Sequence, residues 1–245
     1  MISSLIRTQV PALTRRVLPV VAFLFAASIP ALAQEEEAAP ASLSVAELIV
    51  ASGVIGWVII ALSIVLLAMV IENYVTLNRE KLAPPELIDE IQSLFDEGQY
   101  QEAMELCENE ESLFTRICAA GIAKIGHPFE VIQTSLEEMG DEEAVKMHQK
   151  IGWVAVLAAV SPMIGLLGTV SGMIASFHTI ATTANPTPAE LASGIYTALL
   201  TTLFGLMVSI PGTAAFAFLR NRLVRSTIEI GAIVEDLFER FRPEN

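Results

Sequence analysis

Apolar residues fall in runs too long for an ordinary soluble core. Leu48–Ile71 (LIVASGVIGWVIIALSIVLLAMVI), Ile151–Ser176 (IGWVAVLAAVSPMIGLLGTVSGMIAS) and Leu191–Leu219 (LASGIYTALLTTLFGLMVSIPGTAAFAFL) contain no Asp, Glu, Lys or Arg. Each exceeds the ~20 apolar residues that a bilayer-crossing helix needs. The pattern predicts three transmembrane helices at 48–71, 151–176 and 191–219, the first ended by Glu72 and Asn73. Between the second and third, Phe177–Glu190 (FHTIATTANPTPAE) carries Asn185, Pro186 and Pro188, which interrupt a helix and turn the chain outside the hydrocarbon. The last two spans therefore form a hairpin joined by a loop over 177–190.

The remaining pattern is polar and helical. In 72–150 the apolar residues recur at helical spacing in ELIDEIQSLF, QEAMELCE and SLFTRICAAGIAKI, with breaks at Gly98, Glu108–Glu111 and Gly126-His127-Pro128. A small helical bundle is expected there, entered at Pro84-Pro85, with one long helix running from Phe129 towards the second span. The paired acids Glu137-Glu138 and Asp141-Glu142-Glu143 read as a solvated helix face. The third span is expected to continue into a tail helix over 220–245, with Ile228, Ile233, Leu237 and Phe241 as its apolar stripe.

Charge then orients the chain. Residues 1–33 hold Arg7, Arg15 and Arg16, an apolar run Val17–Ile29 and Ala31-Leu32-Ala33, the layout of a secretory signal with an A-x-A cleavage site. An uncleaved anchor is the competing reading, although the run is short for a span and Pro19 and Pro30 bracket it. Residues 34–47 then form an exported, flexible acidic leader. Removing three arginines takes the net charge from −14 to −17 and leaves eleven of the 14 basic residues, none of them in 34–71 or 151–219. By the distribution of Lys and Arg, the mature N-terminus lies outside the inner membrane and the C-terminus in the cytoplasm. A hydrophobic content of 53% with 17% charged residues marks a membrane protein, and the acidic balance excludes nucleic acid as a partner.

Catalytic chemistry finds little support. Cys107 and Cys118 lack a CxxC or metal-ligand spacing and fall in the cytoplasmic region, where thiols stay reduced; they read as core residues. His127, His148 and His178 are far apart, and Gly165-Leu166-Leu167-Gly168 lies within a span without the lysine of a phosphate loop. No cofactor or metal is expected, and the chain does not read as an enzyme.

The hairpin holds the informative residues. Ser161, Gly165, Gly168, Thr169, Gly172 and Ser176 recur at steps of three and four in the second span; Gly194, Thr197, Ala198, Thr201, Thr202, Gly205, Ser209 and Gly212 do so in the third. Two readings stay open. Small residues permit close helix packing, Gly168 to Gly172 being a GxxxG, or hydroxylated faces line an ion path or sheathe a partner's helix. Spacing alone favours packing.

These residues also carry a resemblance. Gly152-Trp153 and the following VAVLAAVSPMIGLLGTVSGMIASF resemble the second span of the ExbB/TolQ/MotA proton-channel family; GIYTALLTTLFGLMVSIP (Gly194–Pro211) resembles its third. GQYQEAMELCENEESLFTRICAAGIAKI resembles the cytoplasmic helices of the ExbB branch, and the likeness covers about Gly98 to Leu223. The leader resembles that of extended ExbB-like members. The resemblance implies an all-α, three-span ion-channel or stator subunit of the bacterial inner membrane. It would assemble as a homopentamer in lipid around an ExbD/TolR-like single-span partner and drive an envelope machine, a TonB-like protein among the candidates.

The family's partner-facing threonines correspond to Thr169 and Thr202, with Thr197, Thr201 and Ser209 on the same hydroxylated faces and Gly165, Gly168, Gly172 and Gly205 as packing residues. The family usually places a glutamate where Thr197 stands. No Asp, Glu, Lys or Arg lies inside the hairpin's spans, so the titrating group comes from elsewhere, and the resemblance implies an aspartate of the partner. H+ is the ion the resemblance implies, Na+ stays open, and a non-conducting membrane scaffold is the alternative.

Overall fold

The computed structural model describes residues 45–185 and 187–243, and these are helical throughout apart from short connections. The expected signal segment 1–33, leader residues 34–44 and the last two residues lie outside the described part. The helices are α1 (Val45–Ala51), α2 (Gly53–Thr76), α3 (Arg79–Leu82), α4 (Pro85–Asp96), α5 (Tyr100–Asn109), α6 (Leu113–Ile122), α7 (Phe129–Thr182) and α8 (Pro188–Phe238), followed by a 3-10 turn at Glu239–Phe241. Three stretches, Gly53–Thr76, Phe129–Thr182 and Pro188–Phe241, are long and apolar enough to cross a membrane. The all-α, three-span class expected from sequence is the class observed.

Boundaries differ from the sequence reading in ways that local chemistry explains. The first span begins after a break at Ser52 and Gly53, where Gly53 takes a positive φ of 66° that favours glycine. The Ser52 hydroxyl donates to the Ile49 carbonyl at 2.6 Å and helps close α1. At its other end, α2 continues through Glu72 and Asn73 to Thr76. A charge ends a hydrocarbon-facing run but not a helix, and Asn73 donates its side-chain amide back to the Met69 carbonyl at 2.7 Å.

The hairpin turn is also shorter than 177–190. Helix α7 persists to Thr182 and α8 restarts at Pro188. Thr187 and Glu190 close a reciprocal cap: the Thr187 amide donates to the Glu190 carboxylate at 2.9 Å, and the Glu190 amide to the Thr187 hydroxyl at 3.3 Å. Pro188 occupies the first helical position, where its missing N–H costs nothing. Pro162 and Pro211 lie inside α7 and α8, and both helices run on past them.

The described chain forms two compact units, one comprising residues up to Ser63 with Ala158–Gly212, the other Ile64–Leu157 with the residues from Thr213 onward. The first contains the hairpin. In the second, α4, α5 and α6 pack in succession, and α6 starts on a capping box in which Ser112 and Thr115 satisfy each other's amides. Phe95 sits edge-on to Phe238 with ring centroids 5.3 Å apart, and Tyr100 and Phe241 complete the aromatic cluster. The buried face of the tail is Leu223, Ile230, Val234, Leu237 and Phe238; of the expected stripe Leu237 is buried, Ile233 and Phe241 are half-buried, and Ile228 is corrected, being 69% exposed.

Glu143 is a second correction. It is buried, not part of a solvated face, and its carboxylate receives Arg116 at 3.1 Å and Lys146 at 2.8 Å. Burial pushes this carboxyl up, but the hydrogen bonds from Lys146 and Arg116 outweigh it and hold Glu143 below the usual carboxylate range. Cys107 and Cys118 are free and buried. Burial, helped by the charge of Glu108, raises the Cys107 thiol to about 12, and Cys118 also titrates well above an ordinary thiol. Both are poor nucleophiles.

At the C-terminal end of the first span, Tyr74 stacks on Phe218, Arg222 lies 4.6 Å over the Tyr74 ring and donates to the Asn78 side chain at 3.2 Å. Arg79 pairs with Glu229 at 2.6 Å. Together these tie the end of α2 and the start of α3 to α8.

Candidate functional site

The hairpin seam of α7 and α8 is built by glycine. A Cβ added at Gly165 would lie 2.9 Å from the Thr201 carbonyl oxygen and 3.1 Å from the Thr202 Cα; one at Gly172 would lie 2.8 Å from both the Ala198 Cβ and the Gly194 carbonyl oxygen. One at Gly205 would lie 2.7 Å from the Ser161 carbonyl oxygen, and one at Gly168 would strike the Thr201 side chain. These four positions thus bring two backbones to a distance that no larger residue allows. Gly194 repeats this against Ser176.

Hydroxyls cross the seam where the glycines let them. Thr201 Oγ1 lies 2.7 Å from the carbonyl of Ala198 on its own helix and 3.2 Å from that of Gly165 on the facing one; it is 1% exposed. Thr202 Oγ1 also donates to the Gly165 carbonyl, at 3.2 Å. Ser176 donates to the Gly172 carbonyl at 3.1 Å and reaches the Leu191 carbonyl at 3.4 Å. By contrast Thr169 bonds the Leu166 carbonyl at 2.7 Å and Thr197 the Ser193 carbonyl at 3.0 Å, each within its own helix. Ser209 is half-buried and takes part in an interaction of its own.

The five hydroxylated residues singled out from sequence therefore separate. Thr201 lies inside the seam, a position set by packing. At about 100° per residue, Thr169, Thr202 and Ser209 turn to one flank of this antiparallel pair and Thr197 to the opposite flank. Gly165 links the first two: its carbonyl takes the Thr202 hydroxyl and, one helical turn on, the backbone N–H of Thr169. Thr197, where a glutamate is usual in the family it resembles, thus stands apart from the Thr169 side.

Glu190 is the only formally charged residue between Ile151 and Leu219, and it is consumed in capping α8. The seam can accept and donate hydrogen bonds but cannot itself take up a proton onto a carboxylate or imidazole. Among the described residues no group of three or more His, Cys, Asp or Glu is arranged to hold a metal. Sequence reasoning overlooked the Thr187–Glu190 cap, although T-P-A-E displays it, and the Arg222–Tyr74–Asn78 cluster, whose members are too far apart in sequence to be paired by eye.

Comparison with known proteins matches residues 109–231 to the MotA/TolQ/ExbB proton channel family. A putative biopolymer transport protein ExbB homolog of Methanothermobacter thermautotrophicus is 27% identical over 182 residues, covering 74% of this chain and 64% of that protein. The Tol-Pal system protein TolQ of Pseudomonas aeruginosa is 38% identical over 90 residues, 36% of this chain and 37% of its own length. The biopolymer transport protein ExbB of Salmonella typhimurium is 43% identical over 65 residues, covering 26% and 27%. The chain spans less than two thirds of the length of each. The matched region takes in α6, all of α7 and α8 as far as Gly231, including every glycine and hydroxyl of the seam, and the chain belongs to the MotA/TolQ/ExbB proton channel family.

Proposed function

We propose that this chain is the multi-span channel or stator subunit of an inner-membrane complex, working with an ExbD/TolR-like single-span partner to couple the proton motive force to an envelope machine such as TonB-dependent transport. The observation that carries this reading is a hairpin whose two spans are rich in hydroxyls and carry no formal charge. Thr169 and Thr202 share a flank, with Thr202 anchored on the Gly165 carbonyl, and no Asp, Glu, Lys, Arg or His stands within either span to relay a proton. A carboxylate on a partner helix lying against that flank would supply the titrating group, and the threonines would solvate it. The homopentamer, the periplasmic mature N-terminus and H+ as the ion, with Na+ as the competitor, belong to the same proposal.

Two observations favour the scaffold reading. Thr201 is sealed in the seam and the Thr169 hydroxyl is spent on its own helix, as packing alone would have it. Ion flux separates the two. Vesicles holding the chain with a single-span partner should carry a proton current that the chain alone does not, whereas a scaffold carries none with or without the partner.

A further inference from the structure

In the second unit, α6, α7 and α8 border a cavity of about 420 Å³ whose wall includes Ile117, Leu136 and Val234 and whose rim carries Glu137, Asp141 and Glu235. Two helix-interior glycines, Gly140 on α7 and Gly231 on α8, line it from opposite sides. Their surroundings are unlike those of the seam glycines. A Cβ at Gly231 would meet nothing within 4 Å, and one at Gly140 only the tip of Ile117 at 3.9 Å. Glycine inside a helix is unfavourable relative to alanine, and here no contact within the chain requires it. Space left open on both walls of one groove is space for the backbone of something else.

Charge indicates what that is. Among the described residues, none of the ion pairs involves Glu137, Asp141 or Glu235, whereas Glu143, on α7 with the first two, draws both Arg116 and Lys146. The groove thus combines an apolar floor with uncompensated negative charge. Gly140 lies eleven residues before Ile151 and Gly231 twelve after Leu219. At about 1.5 Å per residue the groove sits roughly 16–18 Å along each helix from the end of its apolar run. Five or six extended residues at about 3.3 Å each cover that distance. A single-span membrane protein with its N-terminus in the cytoplasm carries Lys and Arg on that side of its span.

We infer that this groove docks the basic cytoplasmic segment of the single-span partner, an inference that rests on the partner reading above. Its lysines meet Glu137, Asp141 and Glu235 while its backbone passes between Gly140 and Gly231. The test uses the full chain in detergent with a fluorophore on Gln133→Cys, at the groove wall, titrated with a synthetic peptide bearing three lysines and a matched peptide bearing three glutamates. The lysine peptide is expected to shift the emission saturably, and the glutamate peptide not to. Glu137→Gln, Asp141→Asn and Glu235→Gln together should weaken binding about tenfold, the sum of three modest surface pairs. Gly231→Leu should weaken it as much without changing any charge.

Equal response to both peptides, or unchanged affinity in both variants, overturns the inference. So does a change in native mass for Gly231→Leu, which would make the groove a contact between copies. Peptide binding needs no ion flux. Failure here leaves the channel reading standing, and loss of flux with peptide binding intact removes only that reading.

Discussion

The Thr202 hydroxyl of α8 lies 3.2 Å from the Gly165 carbonyl oxygen of α7. The bond exists because position 165 has no side chain: a Cβ there would sit 3.1 Å from the Thr202 Cα. Packing and polarity are therefore one feature of this hairpin, since the glycine that lets the helices approach also presents its carbonyl to the hydroxyl.

Gly172→Leu is expected to destabilise the hairpin. A Cβ at 172 already falls 2.8 Å from the Ala198 Cβ and from the Gly194 carbonyl oxygen, and the latter is backbone that cannot turn aside. Overpacking of this kind costs about 1–3 kcal/mol. The variant should unfold at lower temperature in detergent, while Gly152→Ala, with nothing within 4 Å, should unfold as the parent does.

Glu143 should make stability depend on pH. Its folded pKa is depressed by Arg116 and Lys146, so the unfolded chain binds its proton first as pH falls. The stabilisation is complete above the ordinary carboxylate pKa and is lost as pH falls through the lowered folded value. Since the Arg116 and Lys146 side chains are 45% and 48% exposed, Glu143→Gln should cost only about 1–2 kcal/mol at pH 7. Thermal unfolding at neutral and acid pH should show the parent and variant converging as pH falls; a constant gap would contradict the pairing.

Topology can be read with thiol probes, because Cys107 and Cys118 are buried and leave little background. Ala184→Cys, in the exposed hairpin turn, should react with an impermeant reagent from outside the inner membrane, and Gln99→Cys, exposed between α4 and α5, only after permeabilisation. Labelling of residue 184 solely from the cytoplasm would invert the proposed orientation.

Much of this fold is legible in the sequence because hydrocarbon imposes one rule on every position: runs such as Ile151–Ser176 must be helical and apolar to cross. The helix ends were less legible. Glu72 and Asn73 look like terminators, yet backbone hydrogen bonding continues through them, and Pro188 looks like a breaker although it opens α8. Glu143 was misread because its partner Arg116 is 27 residues away, beyond any helical spacing. In the seam, the step of three and four identified Gly165 and Thr202 as members of small-residue faces, but which hydroxyls cross to the other helix depended on interhelical distance, which periodicity does not encode.

An ion path along the Thr169–Thr202 flank is the proposal on which the channel reading turns. Valine keeps the shape of threonine and removes its hydroxyl, and a hydroxyl that only bonds its own membrane helix is worth roughly 0.6–2 kcal/mol. The decisive measurement is proton flux in vesicles holding the chain and its single-span partner, with Na+ varied separately, for Thr169→Val, Thr202→Val and Thr197→Val. Thr169→Val and Thr202→Val are expected to assemble with the partner and lose flux at least about tenfold, an increase of roughly 1.4 kcal/mol in the barrier. Thr197→Val, on the opposite flank, should retain most of it. Parental flux in both the Thr169 and Thr202 variants, with assembly intact, would contradict the ion path and leave a packing hairpin.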